Sequence, residues 1–260
     1  MRLAVVGASG RMGRAVVALA TADGMEIVCA IGTTDVGRDA GELAGIGPIG
    51  TCIVDGLEAV EHARADVVVD FSAPSATLAL AAIAPVAGTA IVSGTTGLGE
   101  EVRVALDRAS KRVAVLWEPN LSVGVHLLQR LVAQAVAALP EWDVEIVETH
   151  HHAKVDAPSG TALRLFEAVR GVRPAARMVH GRQGKPGPRA SDEIGMHALR
   201  GGDIIGDHVV HAMGGSERIE LTHRATSRNV FAHGALRAAR WIAGREPGLY
   251  ALEDVLRVRT

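Results

Sequence analysis

Cys29 and Cys52 are the only two cysteines among 260 residues. Both lie in apolar runs, and two thiols make no disulfide framework for a chain of this size, so the composition points to a reducing cytoplasm. An excess of one charge is lacking as well. With 27 basic against 29 acidic side chains and a net charge of -2, there is no field suited to wrapping nucleic acid. Long apolar runs are also missing. The run in MRLAVVGASG stops at Gly7, short of a signal-peptide core, and reads as a strand. The longest stretch, 76–92, is broken by Pro85 and Gly88, which favours a buried helix followed by a strand over a membrane span. Neither repeats nor a low-complexity tail are visible. What is present is a globular composition, 48% hydrophobic and 22% charged, long enough for two domains, with small metabolites as the expected partners.

Short branched runs, LAVVG, EIVCAI, ADVVVDF, TAIVSG and RVAVLW, read as strands buried on both faces. Helical periodicity over 12–21, 75–87 and 99–111 separates several of them, and strand-helix-strand repetition predicts a parallel sheet covered on both sides. The pattern changes after Asn120. An amphipathic stretch over 123–139 leads into DVEIVETH, and a loop, HGRQGKPGPRASDE, is too rich in glycine and proline for packed helix. DIIGDHVVHAM and SERIELTHRA then alternate, with Ile219 and Leu221 on one face and Glu220 and Thr222 on the other. This predicts an α+β domain whose sheet has an open face. Residues 231–244 and 249–256 read as helix returning to the first domain.

In VVGASGRMGRAV, Gly7, Gly10 and Gly13 follow a strand directly and open a helix. A turn without Cβ atoms lets main-chain N–H groups at the positive helix end approach a pyrophosphate, so the spacing favours dinucleotide binding over a merely structural turn. The acidic residue that normally grips the adenine ribose is absent: Gly32 ends the second strand, and Asp35 lies three residues on. Thr33, Thr34 and Arg11 offer donors to a 2'-phosphate, so NADP is permitted, unless this loop barely touches the cofactor. SGTTGLG supplies a second turn at a strand end, making Gly94, Thr95 and Thr96 candidate neighbours of a nicotinamide.

The stretch ETHHHAKVDAPSGTAL, 148–163, admits three readings. A metal site is disfavoured, because successive residues of an extended chain point apart and Lys154 would repel a cation. A purely structural reading has Asp156, Ala157, Pro158 and Ser159 ending a strand and capping a helix. The third is an anion site, in which the N–H groups of Ser159, Gly160 and Thr161 and the Thr161 hydroxyl hold a carboxylate beside Lys154 and His151. His150 and Lys154 are then candidate proton donors. With a nicotinamide domain, the economical chemistry is hydride delivery to a polarised C=N or conjugated C=C bond.

Taken together these stretches resemble the 4-hydroxy-tetrahydrodipicolinate reductase (dihydrodipicolinate reductase) family of lysine and diaminopimelate biosynthesis. ETHHHAKVDAPSGTA is similar to the family signature E-x-H-H-x-x-K-x-D-A-P-S-G-T-A. VVGASGRMGR, DAGELAG, VDFSAP, VSGTTG, PNLSVGV, RGGDIIGDH and ERIELTHRATSRNVFAHGALRAARW match further landmarks in order. The resemblance implies a Rossmann-like dinucleotide-binding domain over 1–121 plus 231–260. It also implies a second α+β domain on an open mixed sheet over 122–230, which binds a dicarboxylate substrate and joins a homotetramer. By position, His150 polarises or protonates the substrate, Lys154 is the principal proton donor, and His151, Gly160 and Thr161 bind its carboxylates. The cofactor, NADPH or NADH, would meet Gly7, Ser9, Gly10, Arg11, Met12, Gly13, Thr33, Ser72, Gly94, Thr95, Thr96, Pro119, Asn120, Leu121, Arg228 and Phe231. Four departures fall on that side. Gly32 replaces an acid, Ala73 stands where an arginine is frequent, Pro119 replaces a small residue, and Leu121 replaces an aromatic that borders the nicotinamide. Two other readings stay open: a paralogue reducing another cyclic imine acid, and a nicotinamide-binding sensor without turnover.

Overall fold

Strand and helix alternate from the first residues in the computed structural model, which describes residues 1–257; the last three residues of the expected 231–260 segment lie outside the described residues. In chain order the first part is β1 (Arg2–Val6), α1 (Arg11–Ala22), β2 (Glu26–Ile31), α2 (Ala40–Leu43), β3 (Ile53–Val54), α3 (Ala59–Ala63), β4 (Val67–Asp70), α4 (Pro74–Ala87), β5 (Ala90–Ser93), α5 (Glu100–Ser110) and β6 (Ala114–Trp117). There follow α6 (Val123–Ala138), β7 (Asp143–His150), α7 (Gly160–Val172), β8 (Arg177–His180), β9 (Glu193–Arg200), β10 (Gly206–Met213) and β11 (Arg218–Ala225). The chain ends with α8 (Asn229–Ile242), β12 (Gly248–Tyr250) and α9 (Leu252–Leu256). Two compact units result, Met1–Val123 with the segment from Asn229 onward, and Gly124–Arg228.

In the first unit all seven strands run parallel in the order β12-β6-β5-β4-β1-β2-β3. The order reverses between β1 and β4, as in doubly wound dinucleotide-binding sheets. Side chains alternate across the sheet. Leu3, Val5, Val67, Val69 and Val92 pack under α1 and α8, while Ala4, Val6, Val68 and Ile91 pack under α4 and α5. Burial on both faces is why these strands read as continuous apolar runs. The 249–256 stretch is corrected: Gly248–Tyr250 is a strand on β6, and only Leu252–Leu256 is helical. Its edge position is braced by the Tyr250 ring, edge-on to Trp241 at 5.3 Å.

The second unit is a mixed sheet, β11-β10-β7-β9-β8, with parallel pairs β7–β9 and β8–β9 and antiparallel pairs at β10. One face is covered: Val144, Ile146, Ile194, Met196 and Val210 pack with Leu128, Val132 and Val136 of α6 and Leu165, Phe166 and Val169 of α7. β8 and β9 were not legible as strands because EIGMHALR alternates weakly and follows a glycine-rich loop. In β9, Gly195 is needed for close approach, since a Cβ there would lie 1.7 Å from Glu145 Oε2. The strand expected over 203–213 begins at Gly206, because Ile204 O and Gly202 O accept from His151 N (2.7 Å) and His152 N (3.2 Å) in a turn. Among the described residues no helix is long and apolar enough to cross a membrane.

Candidate active site

In the first unit the candidate dinucleotide turn is built by two glycines with no room for a side chain. Gly7 has φ +80°, and a Cβ there would meet Phe71 O at 2.3 Å; one on Gly13 would meet Gly7 O at 2.1 Å. The turn therefore lets α1 start directly on β1. Gly10 is its N-cap and supplies no side-chain bond to the first-turn amides. Those amides sit at the positive end of the helix and suit a pyrophosphate. Beside them lies a cavity of about 480 Å³ lined by Gly7, Ser9, Gly10, Gly32, Thr33 and Ser72, and also by Asp55, Leu57 and Phe71. Its size and chemistry fit part of a dinucleotide. Asp55, Leu57 and Phe71 escaped the sequence reading because β3 is two residues long and β4 brings Phe71 over the turn.

Gly32 is also sterically constrained: a Cβ would lie 2.6 Å from Ser9 Oγ. Asp35, the next carboxylate along, is taken by the protein itself. It has φ +59° and pairs with Arg14 at 3.1 Å and Arg38 at 3.0 Å. Thr34 Oγ1 donates to Ser9 Oγ at 3.0 Å.

At the carboxyl ends of β4 and β5, the buried Asp70 accepts from Thr77 and Ser93 hydroxyls, both at 2.7 Å, from Thr95 Oγ1 at 3.0 Å and from Ser72 N at 3.1 Å. The Ser72 hydroxyl bonds to the same carboxylate. This anchor orders the turns carrying Ser72 and Thr95, and Trp117 Nε1 adds a bond to Thr95 O at 2.9 Å. The Thr96 side of the turn is exposed. Pro119, Asn120 and Phe231 are half-buried, and Asn120 Oδ1 accepts from Ser122 N at 2.9 Å. Leu121, expected beside the nicotinamide, lies in the hydrophobic cluster of the first unit. It is 1% exposed in the core, under Gly94 and against Gly234, where a Cβ would come within 1.7 Å of Leu121 O. An aliphatic residue suits that packed position.

In the second unit, β7 ends in the histidine stretch. Glu148 and His150 share the covered face, and His150 Nδ1 lies 2.6 Å from Glu148 Oε2. Arg200 of β9 grips the same carboxylate with two bonds of 2.8 Å, and Ser159 N donates to it at 3.0 Å. Burial raises the Glu148 pKa, but the bonds from Arg200, His150 and Ser159 outweigh it and the net direction is down. Ser159 caps α7, its Oγ accepting from Ala162 N at 3.2 Å. Its N–H and side chain are thus both engaged within the protein, unlike the role expected for it as a direct carboxylate donor. Gly160 opens the helix, exposed, with no atom within 4 Å of a Cβ added there. Thr161 follows in the same turn.

Lys154 Nζ is held by Asp156 at 2.7 and 2.9 Å. This bond lowers the Asp156 pKa. The His151 pKa is lowered by desolvation and then by the positive charges of Arg228, His150, Lys154 and His152. Arg228, expected beside the cofactor, belongs to this second unit and adds to the cationic field at His151. The buried His208 stacks edge-on to His150 at 5.2 Å and meets Ser159 Oγ at 3.1 Å; desolvation, with the His150 charge, pulls its pKa down to about 4. The stretch from His150 to Thr161 thus gathers Lys154 and three histidines beside the first-turn amides of α7.

A doubly wound sheet with a bare-amide glycine turn, in a chain whose second unit carries a histidine and lysine stretch before a helix start, marks the nicotinamide-dinucleotide oxidoreductases of the α/β class. Family models described as the dihydrodipicolinate reductase N-terminus and C-terminus match residues 1–121 and 124–256. The chain belongs to the dihydrodipicolinate reductase family. It is 49% identical over 265 residues to a 4-hydroxy-tetrahydrodipicolinate reductase of Alkalilimnicola ehrlichii, covering 98% of both chains. Identity to one of Archaeoglobus fulgidus is 47% over 261 residues, 98% of this chain and 100% of that one. In fold it is similar to a dipicolinate-bound dihydrodipicolinate reductase from Paenisporosarcina sp. TG-14, with a TM-score of 0.79, 24% identity, and coverage of 96% and 97%.

Proposed function

We propose that this chain reduces 4-hydroxy-tetrahydrodipicolinate to tetrahydrodipicolinate, with loss of water, in diaminopimelate and lysine biosynthesis. The observation that carries the reading is the cationic turn from His150 to Thr161, in a chain nearly half identical to curated reductases over almost its whole length. When bound, the reduced nicotinamide supplies a hydride from C4. Lys154 gives the proton, leaving Asp156 for the substrate as it does so, and His150 polarises the reacting bond from its Nε2 side. His151, Gly160 and Thr161 hold the carboxylates, with Ser159 fixing the turn that presents them.

In the first unit, Ser9, Gly10, Arg11, Met12 and Gly13 cradle the pyrophosphate, and Ser72, Gly94, Thr95 and Thr96 flank the nicotinamide. Either NADPH or NADH serves. Acceptance of the 2'-phosphate is supported by the missing acid at Gly32 and by Asp35 being neutralised by Arg14 and Arg38. Self-association through the open face of the second sheet, where Leu199 is 49% exposed, completes the reading. Mixing the protein with enzymatically generated substrate and each reduced cofactor, and following loss of reduced-nicotinamide absorbance, tests it. Turnover with at least one cofactor is expected; none with either refutes the assignment. Sedimentation tests the assembly, a monomer refuting it.

A further inference from the structure

We propose that Glu148 is the positioning residue that fixes the tautomer of His150 and, with the same carboxylate, sets the first turn of α7; the inference rests on the reductase reading above. Glu148 is fully buried and its two oxygens take four donors. Oε2 faces His150 Nδ1 at 2.6 Å and Arg200 Nη1 at 2.8 Å, while Oε1 faces Arg200 Nη2 at 2.8 Å and Ser159 N at 3.0 Å. An ionised carboxylate only accepts, and four bonds use its lone-pair capacity. The proton therefore sits on Nδ1, and Nε2 is the end of the ring that exchanges protons with a substrate.

The surroundings agree with that assignment. A Cβ on Gly206 would stand 2.9 Å from His150 Nε2, so glycine keeps this end of the ring clear. His208 holds the ring plane from the side, at an interplanar angle of 77°. Arg200 also donates to Asp156 O at 2.7 Å, so the loop bearing the Lys154–Asp156 pair is fastened to the same ion pair. One buried Glu148–Arg200 junction thus joins the proton-handling histidine, the anion turn and the lysine loop. The charged and titratable groups around His150 are Glu148 on its own strand, His208 on β10 and His151 in the loop that follows; beyond them, Arg200 on β9 acts on Glu148, His223 on β11 and Lys154 act on His208, and Asp156 acts on Lys154 and Arg200. Arg200 neutralises Glu148, which leaves orientation rather than added basicity as the main effect.

In Glu148→Gln the amide N–H₂ faces an Arg200 donor in either orientation, together with Ser159 N at the Oε1 position or with His150 Nδ1 at the Oε2 position, where it reverses the tautomer. The carbonyl oxygen accepts from Ser159 N only in the second orientation, the one that reverses the tautomer. We expect kcat to fall about 100-fold or more, KM to change by less than about fivefold, and the pH dependence of kcat to be displaced. In a His150→Ala background the same substitution costs far less, the remainder being its effect on the α7 turn. A kcat within about threefold of wild type, or an equal loss in both backgrounds, overturns the proposal. Should the variant fail to fold, the ¹⁵N shifts of the His150 ring in the unsubstituted protein decide the matter. A neutral ring protonated at Nδ1 supports the proposal, and one protonated at Nε2 overturns it. Wild-type turnover is measured first; its absence refutes the reductase reading, and the ring shifts then still judge the tautomer assignment.

Discussion

Replacing Gly13 by alanine tests the junction on which the dinucleotide turn depends. The added methyl would stand 2.1 Å from Gly7 O, 2.6 Å from Ala8 Cα and 2.7 Å from Gly7 C, whereas ordinary contact begins near 3.4 Å. All three are main-chain atoms, so no side chain can swing away. The start of α1 has to retreat from β1 by roughly 1 Å, and overpacking of this kind costs about 3 kcal/mol, the upper end of the usual range. The same retreat withdraws the first-turn amides from a pyrophosphate, and misplacement by roughly 1 Å weakens such contacts by about 100-fold. Calorimetric titration with NADPH and chemical denaturation read the two effects separately. Gly171→Ala is the internal control: it lies in α7 with nothing within 4 Å of the new methyl, and should stabilise by about 1 kcal/mol through helix propensity. If Gly13→Ala binds NADPH within about twofold of wild type and keeps its denaturation midpoint, the steric account of the turn is wrong.

Lys154→Ala removes the proposed proton donor, whose partner is the exposed Asp156, so kcat should fall by about 100-fold or more while stability changes by less than about 1 kcal/mol. Steady-state kinetics beside a melting curve checks both. Gly160→Ala adds a methyl in open space at the start of α7, so the fold is kept, but the proposed carboxylate seat is narrowed. KM rises about tenfold with kcat nearly unchanged.

Stability should fall on acidification in two windows. His208 is held neutral down to about pH 4, whereas an unfolded histidine takes up its proton near 6.5, so the unfolded state binds more protons between these values. Stability present above about pH 6.5 is lost as pH falls through this window, on the order of 3 kcal/mol, and His208→Gln flattens the loss in denaturation midpoints. Below about pH 4.5 Glu145 adds to it: burial alone would raise its pKa, but bonds from Arg182, His197 and Arg189 outweigh this and hold it at about 2. A midpoint independent of pH between about 7 and 5 contradicts the His208 assignment.

The parallel sheet of the first unit was legible because strands buried on both faces must be continuously apolar, and the glycine spacing marked the turn that follows β1. The pairing of Glu148 with His150 was also within reach, since residues two apart on a strand share a face. Arg200 and His208 were not, lying 52 and 60 positions beyond Glu148 in strands brought alongside it by sheet register. The edge strand Gly248–Tyr250 was hidden for the same reason: three residues carry no period, and only β6 makes them a strand.

Local order in the chain, then, determined the alternating first unit, the capped helix start after Pro158 and the candidate proton donors, because periodicity, capping and glycine sterics act over a few residues. Which groups were already spent was decided only by folding. Asp35 is consumed by two arginines, the Ser159 amide by Glu148, and Leu121 by the core. Hydrogen bonds and burial depend on neighbours distant in sequence, and a carboxylate or amide can be committed only once those neighbours have arrived.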